Sequence, residues 1–430
     1  MAGFLRLLRD NHNYRSTWTG QVVSEVGDHF NNIAVFSLAL ENTRSGMVVT
    51  FIMLSRAIPA IMAGPLAGVA LDRFDRKRIM IASDLVRAAV ALCFIFAIPR
   101  THTWLLYPLS GLLMFASPFF TSGRSSILPT IANAEELHTA NALTQTTQWS
   151  TLTIGAFLGG VSVKLGYEWA FFFNALSFIF SAACISRLRA GREGFRARRT
   201  ELTEAEVMRP WREYTEGLRY MRANPLILGI MLIAVGWATG GGAAQILFSL
   251  FGELVFNRGA PGIGYLWGCA GIGLLIGATY AHRLGKRISF KNYKRTVAIC
   301  YVVHGGSYVV FSQMKQFWVA CFFMGLSRAA VAVSSVLNFS ELLKHVANEF
   351  RGRVFATLET LTWSMMMISM LGAGIASQTY SPRVIGAVAG VLSSTTAIFW
   401  AWANWIGRLP EPSAAGVNPD EVEVHGDPVA

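Results

Sequence analysis

Twelve apolar runs, each about the length that crosses a bilayer as a helix, alternate along this chain with loops that switch between basic and charge-poor. A spanning helix needs roughly 20 apolar residues. Only helices and closed barrels satisfy their own backbone in hydrocarbon. The runs fall at 17–40, 46–71, 79–98, 103–125, 140–163 and 167–187, then at 226–250, 261–281, 296–313, 316–340, 354–378 and 384–406. Charged residues make up 14% of the chain, against ~25% in soluble domains. That excludes a disordered chain and an ordinary soluble enzyme. An all-α membrane protein of twelve transmembrane helices is expected.

The net charge of +12 invites a nucleic-acid reading, which its distribution argues against. Of the 37 Lys and Arg residues, 28 lie on one set of alternate loops and six on the other; Arg56, Arg87 and Arg328 lie inside spans. Such a split places the basic loops and both termini in the cytoplasm, so a multi-pass protein of the inner cell membrane is expected. The basic clusters match no nucleic-acid-binding module, and no nucleic-acid partner is expected. Cys93, Cys184, Cys269, Cys300 and Cys321 lie far apart in apolar runs, which suits neither a disulfide frame nor a zinc site. The first residues, MAGFLRLLRDNHNYR, lack the apolar core of a removable signal peptide.

The longest polar stretch, 188–224, divides the spans six and six. Within it Trp211, Tyr214, Leu218 and Met221 recur at helical spacing between charges. This suits an amphipathic helix on the inner leaflet, with a regulatory docking site as the alternative. Four parts are expected: a bundle over 1–187, the linker 188–224, a second bundle over 225–408, and a disordered acidic tail, 409–430.

An internal repeat agrees with this division. The loop after the second span reads GPLAGVALDRFDRKR from Gly64, and the loop after the eighth reads GATYAHRLGKR from Gly277. Aligning Asp72 with His282 pairs Arg73 with Arg283, Arg76 with Lys286 and Lys77 with Arg287. Two related six-helix bundles are an architecture of secondary transporters.

A glycine-rich helix end followed by D-R-x-x-R-K-R resembles the signature loop of the major facilitator superfamily, and particularly its drug-exporter branch with macrolide-efflux and enterobactin-export proteins. GQVVSEVGD in the first span, ILPTIANAEELHTANAL after the fourth and RGRVFATLET entering the eleventh agree. Asp75 departs from the pattern, which has glycine there, and His282 replaces the aspartate in the second copy. The resemblance implies that Asp72 caps the eleventh helix near Gly352 and Arg353, and that such contacts latch the bundles when the pathway opens outward. Gly64 and Gly68 permit close helix packing. Arg124 is placed to pair with Asp72. Arg73 and Arg76 join this gating set, although topology anchoring accounts for much of the basic loop. Arg283, Glu341 and Glu359 are further gate candidates, the two glutamates pairing with Arg124, Arg283 or Arg353.

Carboxylates inside spans are costly and normally face a cavity or a partner. Gln21, Glu25, Asp28 and Asn32 follow at steps of four, three and four, on one face of the first span. Glu25 and Asp28, one turn apart, are the candidate proton-coupling pair, with Asp28 ranked first. A fixed polar cluster is the alternative. Gln148 in the fifth span, Gln245 in the seventh, and Arg328 and Asn338 in the tenth join Gln21 and Asn32 as candidate cavity residues. Asp84 and Arg87 are three apart and positioned to neutralise one another, and Arg56 can meet a first-span acid. Trp363, Met365, Met366, Met367 and Met370 form an adaptable apolar group that suits a cavity wall, although residues at such spacing more often serve packing or a lipid-facing surface. The Gly240–Gly242 run reads as close packing or as a hinge.

No phosphate-binding GxxxxGK[ST] loop, dinucleotide motif, HExxH or metal-ligand cluster is present in the sequence. No enzymatic activity, cofactor or metal is expected. The expectation is a monomeric secondary transporter that exports small amphipathic molecules, such as drugs, macrolides or siderophore-like compounds, with protons as coupling ion. A lipid, lysolipid or metabolite transporter on the same fold, or a non-transporting membrane sensor, remains the alternative.

Overall fold

The structure is a computed structural model and describes residues 2–189, 195, 210–285 and 287–409. The acidic tail and most of 190–209 lie outside the described residues, as does Lys286. A short helix α1 (Ala2–Asp10) precedes the first long one. The first six long helices are α2 (His12–Thr43), α3 (Gly46–Arg73), α4 (Arg76–Cys93), α5 (Leu106–Ile131), α6 (Ala134–Ser162) and α7 (Tyr167–Ser186). The linker forms α8 (Pro210–Ala223). The second six are α9 (Pro225–Leu250), α10 (Gly259–Gly285), α11 (Phe290–Gln313), α12 (Phe317–His345), α13 (Asn348–Ala376) and α14 (Pro382–Trp405).

Among the described residues, nine of these helices are long and apolar enough to cross a membrane on composition alone. The other three long helices, α2, α6 and α11, are diluted by polar residues that face protein rather than lipid, among them buried Gln21, Asn31, Thr147, Thr151 and His304. Exposed Trp104, Trp169, Trp318, Tyr380 and Trp405 suit the aromatic belts of a bilayer interface.

Pseudo-symmetry is explicit in the packing. In the first bundle α2 packs on α6 and α7, α3 on α5, and α4 on α5 and α7; in the second, α9 packs on α13 and α14, α10 on α12, and α11 on α12 and α14. Each pairing recurs six spans later. Between bundles, α6 meets α10 and α3 meets α13, a symmetric exchange. Without water to drive association, spanning helices rely on close van der Waals packing, and glycines supply it here. Gly240 lies against the Ala389 carbonyl and Gly242 against that of Met366, so these two glycines are points of close helix packing. Pro59 denies the Ser55 carbonyl its helical donor, and Gly111 of α5 leaves room for that oxygen.

The bundles are pressed together at the charge-poor end and separated at the basic end. At the charge-poor end Gly46 meets Ser377, Gly374 meets Thr50, and Gly160 meets Ala260 and Gly264. Toward the basic end a methyl group added at Gly64, Gly68 or Gly352 would meet nothing within 4 Å. The expected close packing of Gly64 and Gly68 is therefore absent from this conformation, because α3 and α13 diverge there. Gly264→Val would drive a branched side chain into the Ala156 carbonyl and Gly160. Overpacking of this kind costs about 1–3 kcal/mol, so a lowered melting temperature in detergent is expected, whereas the same change at Gly352 should be silent.

The linker helix is anchored to protein. Met221 is fully buried, Gly217 abuts the Arg353 backbone, and Glu216 pairs with Arg353 at 3.1 Å. Tyr220 stacks on Phe350 with centroids 4.5 Å apart. The face expected on the inner leaflet thus docks, at Leu218 and Met221, against the bundle core. The side chains of Trp211 and Tyr214 lie outside the description.

Candidate functional site

A cavity of about 680 Å³ lies between the bundles. Its wall is drawn from α2 (His29, Asn32, Phe36), α3 (Met53, Arg56), α5 (Met114), α6, α9 (Gln245), α10 (Trp267) and α13 (Glu359, Trp363, Met367, Met370). The α13 contribution, which runs from Ala356 through Glu359, Trp363 and Ser364 to Met370, is a single helical stripe. Two of the four clustered methionines, Met367 and Met370, line the cavity with Trp363, while Met365 and Met366 pack in the core. Glu359 is the one carboxylate among the described lining residues, and Arg56 the one guanidinium.

Behind the cavity, the first bundle holds a charged interior. Asp84 and Arg87 are buried and bonded to each other, and the Arg87 guanidinium lies over the rings of Phe120 and Phe178 at 4.8 and 4.3 Å. Asp28 is half-buried; Arg87 and Arg56 are the cations acting on it, and Glu25 and Asp84 are its neighbouring carboxylates. Among the described residues no hydrogen bond or ion pair engages the Asp28 carboxylate. Glu25 is held differently. It accepts from Gln21 Nε2 at 2.7 Å and from Thr151 Oγ1 at 2.7 Å, with Arg124 at 3.7 Å.

The chain matches the family model described as Major Facilitator Superfamily over residues 17–361. The chain belongs to the major facilitator superfamily. Membership makes it a multi-pass transporter rather than an enzyme. It is 25% identical to the uncharacterized MFS-type transporter YfiS of Bacillus subtilis, across 90% of this chain and 92% of the relative. It is 23% identical to Macrolide efflux protein A of Streptococcus pyogenes, across 86% and 90%. Among solved structures, a bacterial homologue of the iron transporter ferroportin, in an inward-facing state, matches with a TM-score of 0.68 at 14% identity, over 90% of this chain and 98% of that one. At that identity the likeness concerns the fold.

Several residues fall elsewhere than the sequence suggested. Asn32 and Gln245 line the cavity. Gln21 does not; it is buried beside Glu25 and a small recess with Tyr14, Trp18 and Arg124. Gln148 is exposed and outside the lining. Asn338 accepts from the Tyr293 hydroxyl at 2.8 Å, deep in the second bundle. Arg328 lies over Phe248 at 5.2 Å and borders a separate narrow gap with His304, Tyr308, Gly240 and Gly241. These displacements share a cause: helical spacing fixes a face but not which neighbour that face meets.

The loop after α3, which the resemblance led us to expect as a latch between the bundles, bonds to its own bundle. Asp72 and Arg73 are exposed with no ion pair among the described residues, and Arg124 pairs with Glu25 rather than Asp72. Asp75, in place of the pattern's glycine, caps α4 by accepting from the Arg78 amide at 3.0 Å. Arg76 donates to the Ser126 carbonyl at 2.8 Å and Lys77 to that of Leu188 at 2.9 Å, fastening the loop to its own bundle. Arg283 is exposed without an ion pair among the described residues. Glu341 pairs within its own helix, with Lys344 at 2.7 Å and His345 at 3.4 Å, rather than with a gate arginine. Glu359 stands in the cavity wall instead of a gate bridge.

Four residues escaped the sequence reading altogether: Ser37, Glu41, Tyr167 and Glu253, which meet at the charge-poor end. Ser37 and Glu41 are one turn apart on α2, but Tyr167 and Glu253 come from distant segments, so no spacing along the chain brings the four together. The nearest signal was a pair of carboxylates at span ends.

Proposed function

We propose that this chain is a proton-coupled exporter of small amphipathic compounds from the cytoplasm, working by alternating access between bundles 1–187 and 225–408. The observation that carries this reading is the cavity: apolar and methionine-lined, open toward the basic end, with Arg56 in its wall and Asp28 behind that arginine. The basic end is read as cytoplasmic from the charge split, which makes this conformation inward-open. Substrate enters from the inside, and the 23%-identical macrolide efflux protein supports the outward direction.

Coupling is assigned to Asp28. Glu25 has its acceptor capacity met by Gln21, Thr151 and Arg124, which suits a fixed structural carboxylate. Asp28 lacks such hydrogen bonds, so it is the acid free to take up and release a proton. Its charge also sets how strongly Arg56 is held away from the cavity. Asp72, with Arg73 and Arg76, is proposed as the inner latch that forms when α3 and α13 approach. Arg283, Glu341 and Arg328 are proposed to act within the second bundle, positioning its helices. Met367 and Met370 adapt to varied apolar bodies.

Efflux from proteoliposomes with and without an imposed pH gradient tests this reading. Gradient-stimulated flux of an amphipathic compound supports it; indifference of flux to the gradient contradicts it. Glu359→Gln is expected to weaken transport of a fluorescent amphipathic cation by about tenfold, since one charge pair in a partly wet cavity contributes about 1–2 kcal/mol. Transport of a neutral compound should change little. Equal losses for both would remove Glu359 from substrate recognition.

A further inference from the structure

At the charge-poor end, four side chains form a chain of oxygens across the two bundles. Tyr167 Oη donates to Glu41 Oε2 at 2.5 Å. Ser37 Oγ donates to Glu253 Oε2 at 3.0 Å. Between them, Ser37 Oγ and Tyr167 Oη lie 3.2 Å apart. Ser37, Glu41 and Tyr167 belong to the first bundle, and Glu253 to the second, so this is a hydrogen-bonded clasp where the bundles touch. Glu253 is placed by a π-turn, Phe251–Val255, closed by the Phe256 amide on the Phe251 carbonyl at 2.9 Å. Such turns are uncommon and recur at functional positions. Gly252 lets this turn press against Ile263.

Counting hydrogens exposes an imbalance. The chain has three oxygen–oxygen contacts, but an ionised carboxylate is acceptor-only and each hydroxyl supplies one hydrogen. With Glu41 and Glu253 both ionised, the two hydroxyl hydrogens go to the two carboxylates. The Ser37–Tyr167 contact is then left with two facing oxygens and no hydrogen. One added proton completes all three contacts: a neutral Glu253 donates to Ser37, Ser37 to Tyr167, and Tyr167 to ionised Glu41. The mirror arrangement, with Glu41 neutral, is equally complete. Other charged groups near the clasp do not supply this hydrogen. Arg44, at the end of α2, acts on Glu253 only electrostatically, and Arg258 lies over the rings of Phe317 and Trp318. Glu168 folds back toward Gly166, and Lys164 sits on the turn before α7.

We propose that the Glu41–Tyr167–Ser37–Glu253 clasp is a proton-binding site that closes the charge-poor end by taking one proton from the solvent on that side. Opening separates Glu253 from Ser37, wets the Glu253 carboxylate and releases the proton. Low pH on that face therefore favours the conformation seen here, and rising pH favours opening. The site is distinct from Asp28, and its readout is a distance rather than a flux, so it stands or falls independently of the coupling proposal.

The test uses the full chain in nanodiscs, its five native cysteines replaced, with spin labels on cysteines introduced at exposed Leu165 and Tyr380, one on each bundle. Distance distributions are recorded by double electron–electron resonance between pH 5 and pH 9. Above its midpoint, the ratio of open to closed populations should rise about tenfold per pH unit, the slope that linkage to one proton imposes. In Glu253→Gln and in Glu41→Gln, the amide supplies the missing hydrogen, so the closed distance should persist at every pH. Tyr167→Phe, which breaks the chain, should populate the open distance even at low pH. A pH-independent wild-type ratio, or a titration like the wild type's in either glutamine variant, overturns the proposal. So does a closed Tyr167→Phe variant.

Discussion

Asp28→Asn is expected to abolish pH-driven efflux while leaving substrate exchange across proteoliposomes intact. Asparagine keeps the size and polarity of the side chain but cannot carry a proton between the two faces. Net gradient-driven export should fall to the level of protein-free liposomes, and counterflow, which needs only the reorientation of a loaded carrier, should continue. The variant also fixes the local charge: Asp28 no longer offsets Arg56 and Arg87, leaving Arg56 as an uncompensated cation in the cavity wall. Binding of cationic substrates should weaken in consequence. Glu25→Gln should behave differently, because Glu25 is held by Gln21, Thr151 and Arg124. Its expected effect is a loss of stability with the pH dependence of transport retained. Exchange and pH-driven flux measured side by side separate the two. Loss of pH drive in Glu25→Gln and its retention in Asp28→Asn would reverse the assignment.

The largest effect on stability is expected at Arg87. Its guanidinium is buried, bonded to Asp84 and covered by Phe120 and Phe178. Arg87→Met removes the counter-charge and leaves a buried carboxylate unpaired, a change that typically costs about 3–5 kcal/mol. Asp84→Asn combined with Arg87→Met removes both charges, and replacement of a whole buried pair is often close to neutral. The double variant should therefore recover most of the stability lost by the single one. Unfolding of the purified protein in detergent measures this, and a single variant as stable as the wild type would show that the pair carries no such weight.

The architecture was legible in the sequence because its causes are local. Apolar length sets the spans, the basic loops set their alternation, and the repeat around Asp72 and His282 implies the two bundles whose helix pairings recur. The pairing of Asp84 with Arg87 was legible for the same reason, being one turn apart on one helix. The site was legible only in part. The stripe Gln21, Glu25, Asp28 and Asn32 is one face, yet its lower half turns to Arg124 and Thr151 and its upper end to the cavity. Which helix stands opposite is decided by packing between distant segments. Gate residues were harder still. The proposed contact of Asp72 with α13 would need a conformation other than this one, in which Ser37 meets Glu253, while a single sequence has to encode both. Arg124 illustrates the point: its place at the inner end of the fourth span suggested Asp72, but in the conformation seen here its partner is Glu25.

Proton coupling is the centre of this account, and it is tested most directly by following protons and substrate together. Purified protein is reconstituted into liposomes enclosing a pH-sensitive dye, and an outwardly or inwardly directed substrate gradient is applied with no initial pH difference and the membrane potential clamped. Substrate flux should drive protons in the opposite direction, with the pH change abolished in Asp28→Asn. Substrate flux of undiminished rate with no accompanying proton movement would contradict the account.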